Sequence, residues 1–185
     1  MSMSYYSEET LSVILTVIEH YPKAIQCINV NKIPEHILNS FLLRHPEQIL
    51  YVPNASIDVK INALIKSGNS LVIKHLQKEL DESNIELALK MSPHIIYLMD
   101  KELLTLEQEL LAFKRNTNLY SCVRTDGLLD SEENYKKYPD NFVKLFLNQN
   151  YDKLKFEITD KRLKRLLYQS SIESETKKSI LLKAN

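Results

Sequence analysis

One register recurs along this chain, and it restricts the fold more than any other feature. Tyr21-Pro22-Lys23-Ala24-Ile25 resembles His45-Pro46-Glu47-Gln48-Ile49, Ser92-Pro93-His94-Ile95-Ile96 and Tyr138-Pro139-Asp140-Asn141-Phe142. Ser67-Gly68-Asn69-Ser70-Leu71 and Asn116-Thr117-Asn118-Leu119-Tyr120 fill the two gaps. The anchor positions 22, 46, 68, 93, 117 and 139 are separated by 24, 22, 25, 24 and 22 residues. A period in this range is the mark of a repeated supersecondary unit. Five and four residues before each anchor stand Val17-Ile18, Phe41-Leu42, Ala63-Leu64, Ala88-Leu89, Ala112-Phe113 and Asn134-Tyr135. Three residues after each anchor the side chain is large and apolar or aromatic: Ile25, Ile49, Leu71, Ile96, Tyr120 and Phe142.

The unit reads as a helix, a sharp turn and a shorter second helix. Apolar residues upstream of the anchors recur at helical spacing, as in Val59, Ile61, Leu64 and Ile65. Proline cannot continue a helix and pushes the residue before it out of helical geometry, yet it is favoured as the first residue of a new helix. Each X-Pro therefore closes one helix and opens another. Gly68 and Asn116 are expected to serve the same turn through positive φ. The second helices are predicted over residues 23–29, 47–52, 70–80 and 94–102. The register is lost after Asn150. Residues 151–158 suit an extended segment or a helix, 160–169 reads as a helix opened by Asp160 with Leu163, Leu166 and Leu167 on one face, and 174–182 as a final helix.

Composition supports helices and removes several chemistries. Only Gly68 and Gly127 occur among 185 residues, which disfavours strand-rich folds with their glycine turns and excludes glycine-rich phosphate loops. Cys27 and Cys122 lie in no metal-ligand spacing and read as reduced, buried thiols of an intracellular protein. The polar, acidic N-terminus does not read as a signal peptide, and the apolar run Leu11–Ile18 is too short to span a membrane. The five histidines, His20, His36, His45, His75 and His94, form no HExxH pattern. His20 and His45 precede turns, where they can bond the last carbonyls of a helix. Glu8-Glu9, Asp81-Glu82 and Glu132-Glu133 sit where helices open, and Glu102, Glu107 and Glu109 read as solvated. No serine has the flanking glycines of a nucleophile elbow. Neither a catalytic group, a metal site nor a cofactor site is expected.

Charge is divided along the chain. Residues 1–152 carry 15 Lys and Arg against 20 Asp and Glu, whereas residues 153–185 carry 9 against 4. Lys161, Arg162, Lys164 and Arg165 flank a leucine stripe and are the leading partner-binding candidates. Three destinations stay open for them: an acidic partner surface, nucleic-acid phosphates, or the acidic body of the same fold. A second basic row, Arg44, Lys66, Lys90, Arg115 and Lys137, recurs before the anchors. It reads either as an anion-binding ladder or as repeated helix C-terminal capping. Arg44, Lys66 and Arg115 join the candidate set.

The run Tyr51-Val52-Pro53-Asn54-Ala55-Ser56-Ile57-Asp58-Val59-Lys60-Ile61-Asn62-Ala63-Leu64, continued by Ile65-Lys66-Ser67-Gly68-Asn69-Ser70-Leu71, resembles a helical repeat of unknown function found in bacteriophage, giant-virus and some bacterial proteins. The resemblance is best over residues 13–99, fades over 100–145 and does not reach the tail. Pro53-Asn54-Ala55-Ser56 departs from the Asn–Pro–Ser order of that repeat. The family brings no activity and no catalytic residues; it implies a viral or bacterial accessory protein.

The chain therefore reads as all-α, an irregular α-solenoid of stacked short helical hairpins with a C-terminal helical cap. Residues 1–150 form the repeat body and 151–185 a basic helical segment packed on it or extending from it. The expected function is that of a non-enzymatic protein-binding accessory or inhibitory factor in the cytoplasm, or the host cytoplasm if viral. Its expected partner is a protein with an acidic surface. A homodimer through an uncapped end of the stack is a second mode, and nucleic-acid binding through the basic tail is the alternative function.

Overall fold

The computed structural model describes residues 5–169, and all regular structure among them is helical. The predicted helix at 174–182 lies outside the described residues. Among those described, no helix is long and apolar enough to cross a membrane. The chain gathers into two compact units, Met1–Cys122 and Val123–Asn185. The division falls after Cys122, not after residue 150, where the sequence register is lost.

In the first unit, five helix pairs follow the register. The leading helices are α1 (Glu8–His20), α2 (Glu35–Arg44), α3 (Ile57–Lys66), α5 (Glu82–Met91) and α6 (Leu106–Arg115). Each is followed by a second element: Pro22–Cys27, Pro46–Tyr51, α4 (Ser70–Glu79), Pro93–Leu98 and Thr117–Cys122. Four of these second elements are 3₁₀-helices; only α4 is an α-helix.

The turns share one backbone hydrogen bond. The residue before each anchor donates its N–H to the carbonyl four positions back: Tyr21 to Val17, His45 to Phe41, Ser67 to Ala63, Ser92 to Ala88 and Asn116 to Ala112, at 2.8–2.9 Å. Before proline that residue is then forced out of helical geometry, with φ/ψ of −133/75° at Tyr21, −127/65° at His45 and −141/80° at Ser92. Proline sets φ for the next residue, and the chain closes tight i→i+3 bonds such as Ala24 N–H to Tyr21 at 2.8 Å. Ser67, followed by glycine, stays helical, and Gly68 takes φ +59°. Asn116 departs from expectation. Its φ is −147°, not positive, and its Oδ1 accepts the Asn118 N–H at 3.0 Å, which holds the turn from the side chain.

Neighbouring pairs pack on one another. α2 touches α3, α3 touches α5 and α5 touches α6. The second elements touch in the same order, from Pro22–Cys27 through Pro46–Tyr51, α4 and Pro93–Leu98 to Thr117–Cys122. Polar contacts between consecutive units span nearly one repeat: Arg44 with Glu19 across 25 residues, Gln77 with Asp100 across 23 and Asn116 with His94 across 22. The apolar pairs five and four before each anchor are almost wholly buried from Phe41-Leu42 onward. The position three after the anchor is less regular. Ile25, Ile49 and Ile96 are buried, but Leu71 is 70% exposed. The α-helical α4 starts later than its 3₁₀ counterparts and buries Val72, Ile73 and Leu76 instead. In the fifth pair Leu119 takes the buried place and Tyr120 is half-buried.

The second unit does not repeat this plan. Before Pro139 lies a 3₁₀-helix, Glu132–Lys137, and after it the longer α7 (Asp140–Asn150). The sixth copy thus reverses the order of long and short elements. A turn at Tyr151–Lys153 and an irregular stretch, the open choice at 151–158, lead to α8 (Lys161–Gln169). Tyr138 stacks on Phe142 with ring centroids 5.0 Å apart, and Tyr135 meets Phe146 edge-on at 5.9 Å. Gly127 takes φ +73°, and a Cβ there would lie 2.8 Å from Asn134 Nδ2.

Candidate interaction surfaces

α8 is amphipathic, and its leucine face is spent inside the second unit: Leu163, Leu166 and Leu167 are buried. Asp160 opens the helix, accepting the Leu163 N–H at 2.9 Å. Glu132 fixes the approach by accepting the backbone N–H groups of Thr159 and Asp160 at 2.9 and 3.0 Å, together with the Thr159 hydroxyl. The four cations separate by role. Arg162 donates Nε to Asp140 Oδ1 at 2.8 Å, Nη1 to the Tyr135 carbonyl at 3.1 Å and Nη2 to the Tyr138 carbonyl at 2.6 Å. Arg165 donates to the other Asp140 oxygen at 3.1 Å. Arg162 is therefore a docking residue that holds α8 to the carbonyl end of the Glu132–Lys137 turn and the start of α7. Lys161 is exposed and Lys164 half-buried.

These bonds hold the Asp140 and Glu132 carboxyls below the usual carboxylate range, chiefly through Arg162 and Thr159 respectively. A depressed carboxyl stabilises the folded state above its unfolded pKa and loses that contribution as pH falls through its folded value. Stability should thus be level from neutral pH to the ordinary carboxylate range and fall below it. Asp140→Asn should reduce the acid-dependent loss; melting followed by circular dichroism over a pH series checks this. Arg162→Ala should cost about 2 kcal/mol, since it removes three charge-assisted bonds from a partly exposed site. Urea unfolding of the same variant measures that cost. The adjoining cleft, of about 80 Å³, is lined by Glu132, Glu133, Tyr135, Lys136, Asp160, Arg162 and Leu163. It has room for about three waters.

In the first unit the basic row is exposed, but it is not one continuous anion site. Arg44 pairs with Glu19 and donates to Ser40 Oγ at 3.1 Å, tying α2 to α1. Lys90 meets Glu86 on its own helix at 3.4 Å. Lys66 and Arg115 are exposed at the ends of α3 and α6. His20 bonds the Thr16 carbonyl through Nδ1 at 2.8 Å, as its place before the turn suggests. Two expectations fail here. Cys27 is exposed, and only Cys122 is buried, where burial raises its thiol pKa. Glu109, expected in solvent, is 1% exposed and has an interaction partner. α6 buries a broad stripe that also takes in Gln108, Leu110, Ala112 and Phe113.

The feature that the pattern of residue types did not disclose is at α1. Position five before the anchor is 0–1% exposed in Phe41, Ala63, Ala88 and Ala112 but 41% exposed in Val17. Its neighbour Ile18 is 1% exposed. Val13, at 64%, and Tyr21, at 72%, continue that row at four-residue steps. From Tyr5 to Pro22 there is no lysine or arginine, while Glu8, Glu9 and Glu19 lie along the helix. Among the described residues no group of three or more His, Cys, Asp or Glu side chains is arranged to hold a metal ion. No protein-family model, curated protein or solved structure matches the chain.

Proposed function

We propose that this chain is a non-enzymatic protein-binding factor, an accessory or inhibitory module built as an α-solenoid, and that the exposed apolar face of α1 docks on a protein surface. The exposed row Val13–Val17–Tyr21 carries the reading. Val13, Val17 and Tyr21 lie on one side of α1 at four-residue steps and are all exposed, and contiguous exposed apolar surface marks interaction sites. The phage or bacterial setting rests on the resemblance of residues 51–71 to the viral and bacterial repeat.

The basic tail is a weaker basis for function in this account. Of the four candidate cations on α8, Arg162 and Arg165 are bonded to Asp140, which leaves Lys161 and Lys164 for phosphates or an acidic partner. Nucleic-acid binding would show as affinity that falls steeply with salt. The test of the main reading is capture from bacterial lysate by the wild-type chain and by a Val13→Asp/Val17→Asp double variant. A protein retained by the first and lost with the second is expected. The same recovery with both would contradict the reading. Both substituted side chains are solvent-exposed, so the variant should keep its helix content.

A further inference from the structure

We infer that the outer face of α4, with the elements on either side of it, binds a single-stranded nucleic acid; this surface is distinct from the α1 face and does not rest on the reading of α1. The second elements are the cationic side of the first unit. The five of them carry Lys23, Lys74 and Lys78 against Glu47 and Glu79, whereas the five leading helices carry nine Asp and Glu against six Lys and Arg. Both of those carboxylates are engaged. Glu79 bonds Lys60 at 2.8 Å and His75 at 3.1 Å, and Glu47 accepts the Gln48 amide N–H at 3.2 Å. Among the described residues, neither Lys74 nor Lys78 is paired with a carboxylate.

Leu71, Lys74, His75 and Lys78 follow one another at helical spacing on one face of α4, and all are exposed. Val72, Ile73, Leu76 and Gln77 take the opposite face into the core. α4 packs against Pro46–Tyr51 and against Pro93–Leu98, and each of these brings an exposed tyrosine near its end, Tyr51 at 41% and Tyr97 at 57%. The two bonds between Gln77 and the Asp100 backbone fix the register on one side. Lys74 and Tyr97 each lie three residues before those bonded residues and so come level. Tyr51 holds the corresponding place on the other side, one step further from its proline. A strand laid across this face meets cations for its phosphates in the middle and an exposed ring on each side for its bases, the combination that holds single strands without sequence readout. Bases stacked inside a duplex present no ring face to Tyr51 and Tyr97, so a duplex engages the lysines alone. An acidic polypeptide likewise supplies carboxylates for the lysines, but no ring for the tyrosines at each step of its chain.

The test is fluorescence anisotropy of a labelled oligothymidine of about 12 nucleotides, titrated with the full chain over a salt series. Affinity should fall as salt rises, with a slope of log K against log salt of about −1.4 for two phosphates neutralised. Tyr51→Ala/Tyr97→Ala should lower affinity on the order of tenfold or more with the slope kept, and Tyr51→Phe/Tyr97→Phe, which keeps both rings, should bind as the parent chain does. Lys74→Ala/Lys78→Ala should flatten the slope. All four side chains are exposed, so helix content by circular dichroism should be unchanged in each variant. No binding of the oligonucleotide, or the same affinity in the tyrosine-to-alanine variant, overturns the inference. Binding of a duplex of the same length, or of poly-glutamate, as tight as that of the single strand also overturns it. So does binding lost with Lys161→Ala/Lys164→Ala but with none of the α4-face variants, which would move the contact to α8.

Discussion

Phe41→Ala is expected to lower the stability of the first unit by about 4 kcal/mol, whereas Val17→Ala at the equivalent position should change it by no more than about 0.5 kcal/mol. Phe41 is 1% exposed, and its ring centroid lies 4.9 Å from that of His45 in the turn that follows. Truncating it removes the transfer free energy of an aromatic ring and leaves a cavity between rigid helices that can collapse only in part. Val17 occupies the same step of the repeat, five residues before proline, but is 41% exposed, so its truncation mostly exchanges one solvated surface for another. Urea denaturation of the two variants measures the contrast. Similar losses for both would mean that α1 is covered much as its successors are.

Gln77→Ala should cost about 3 kcal/mol. The Gln77 amide bridges one residue of the next unit at both ends: Nε2 donates to the Asp100 carbonyl at 2.9 Å, and Oε1 accepts the Asp100 N–H at 2.8 Å. Gln77 itself is 8% exposed. Alanine would remove two bonds; the Asp100 carbonyl would keep the Leu103 N–H at 3.2 Å, but the Asp100 N–H would lose this partner, and an unpaired group of that kind costs about 1–3 kcal/mol where water cannot reach it, on top of the lost bond to the carbonyl. Gln77→Glu keeps the size and the acceptor but loses the donor, so it should recover only part of the loss. Amide hydrogen exchange at Asp100 gives a local readout, with faster exchange expected in both variants.

The turns were legible because proline acts through its own covalent geometry. At Tyr21-Pro22, His45-Pro46 and Ser92-Pro93 one helix ended and another began, and Phe41-Leu42, Ala63-Leu64 and Ala88-Leu89 are buried as their spacing implied. α8 was legible too, since Leu163, Leu166 and Leu167 mark one face under any packing. What depended on neighbours far along the chain was not. The 3₁₀ form of Pro22–Cys27, Pro46–Tyr51 and Pro93–Leu98, against the α-helical form of α4, is not recorded by residue types. Whether Cys27, Leu71 and Glu109 faced solvent was set by which element lay beside them. Arg162 looked like the other tail cations. Its role comes from Asp140 and two carbonyls that only folding brings to it. Val17 is the clearest case, since its residue type continues the core pattern while its side chain is 41% exposed.

The central claim, that α1 carries an exposed apolar face on which a protein docks, is tested most directly by thiol reactivity. In a Cys27→Ser background, Val17→Cys and Ala63→Cys occupy the same step of the repeat, 41% and 1% exposed in the parent chain. In dilute protein Val17→Cys should react with a maleimide at nearly the rate of a free thiol, and Ala63→Cys only after denaturation. Adding a captured partner should then protect Val17→Cys. Protection of both positions in dilute protein without a partner would contradict the exposed face and the function built on it.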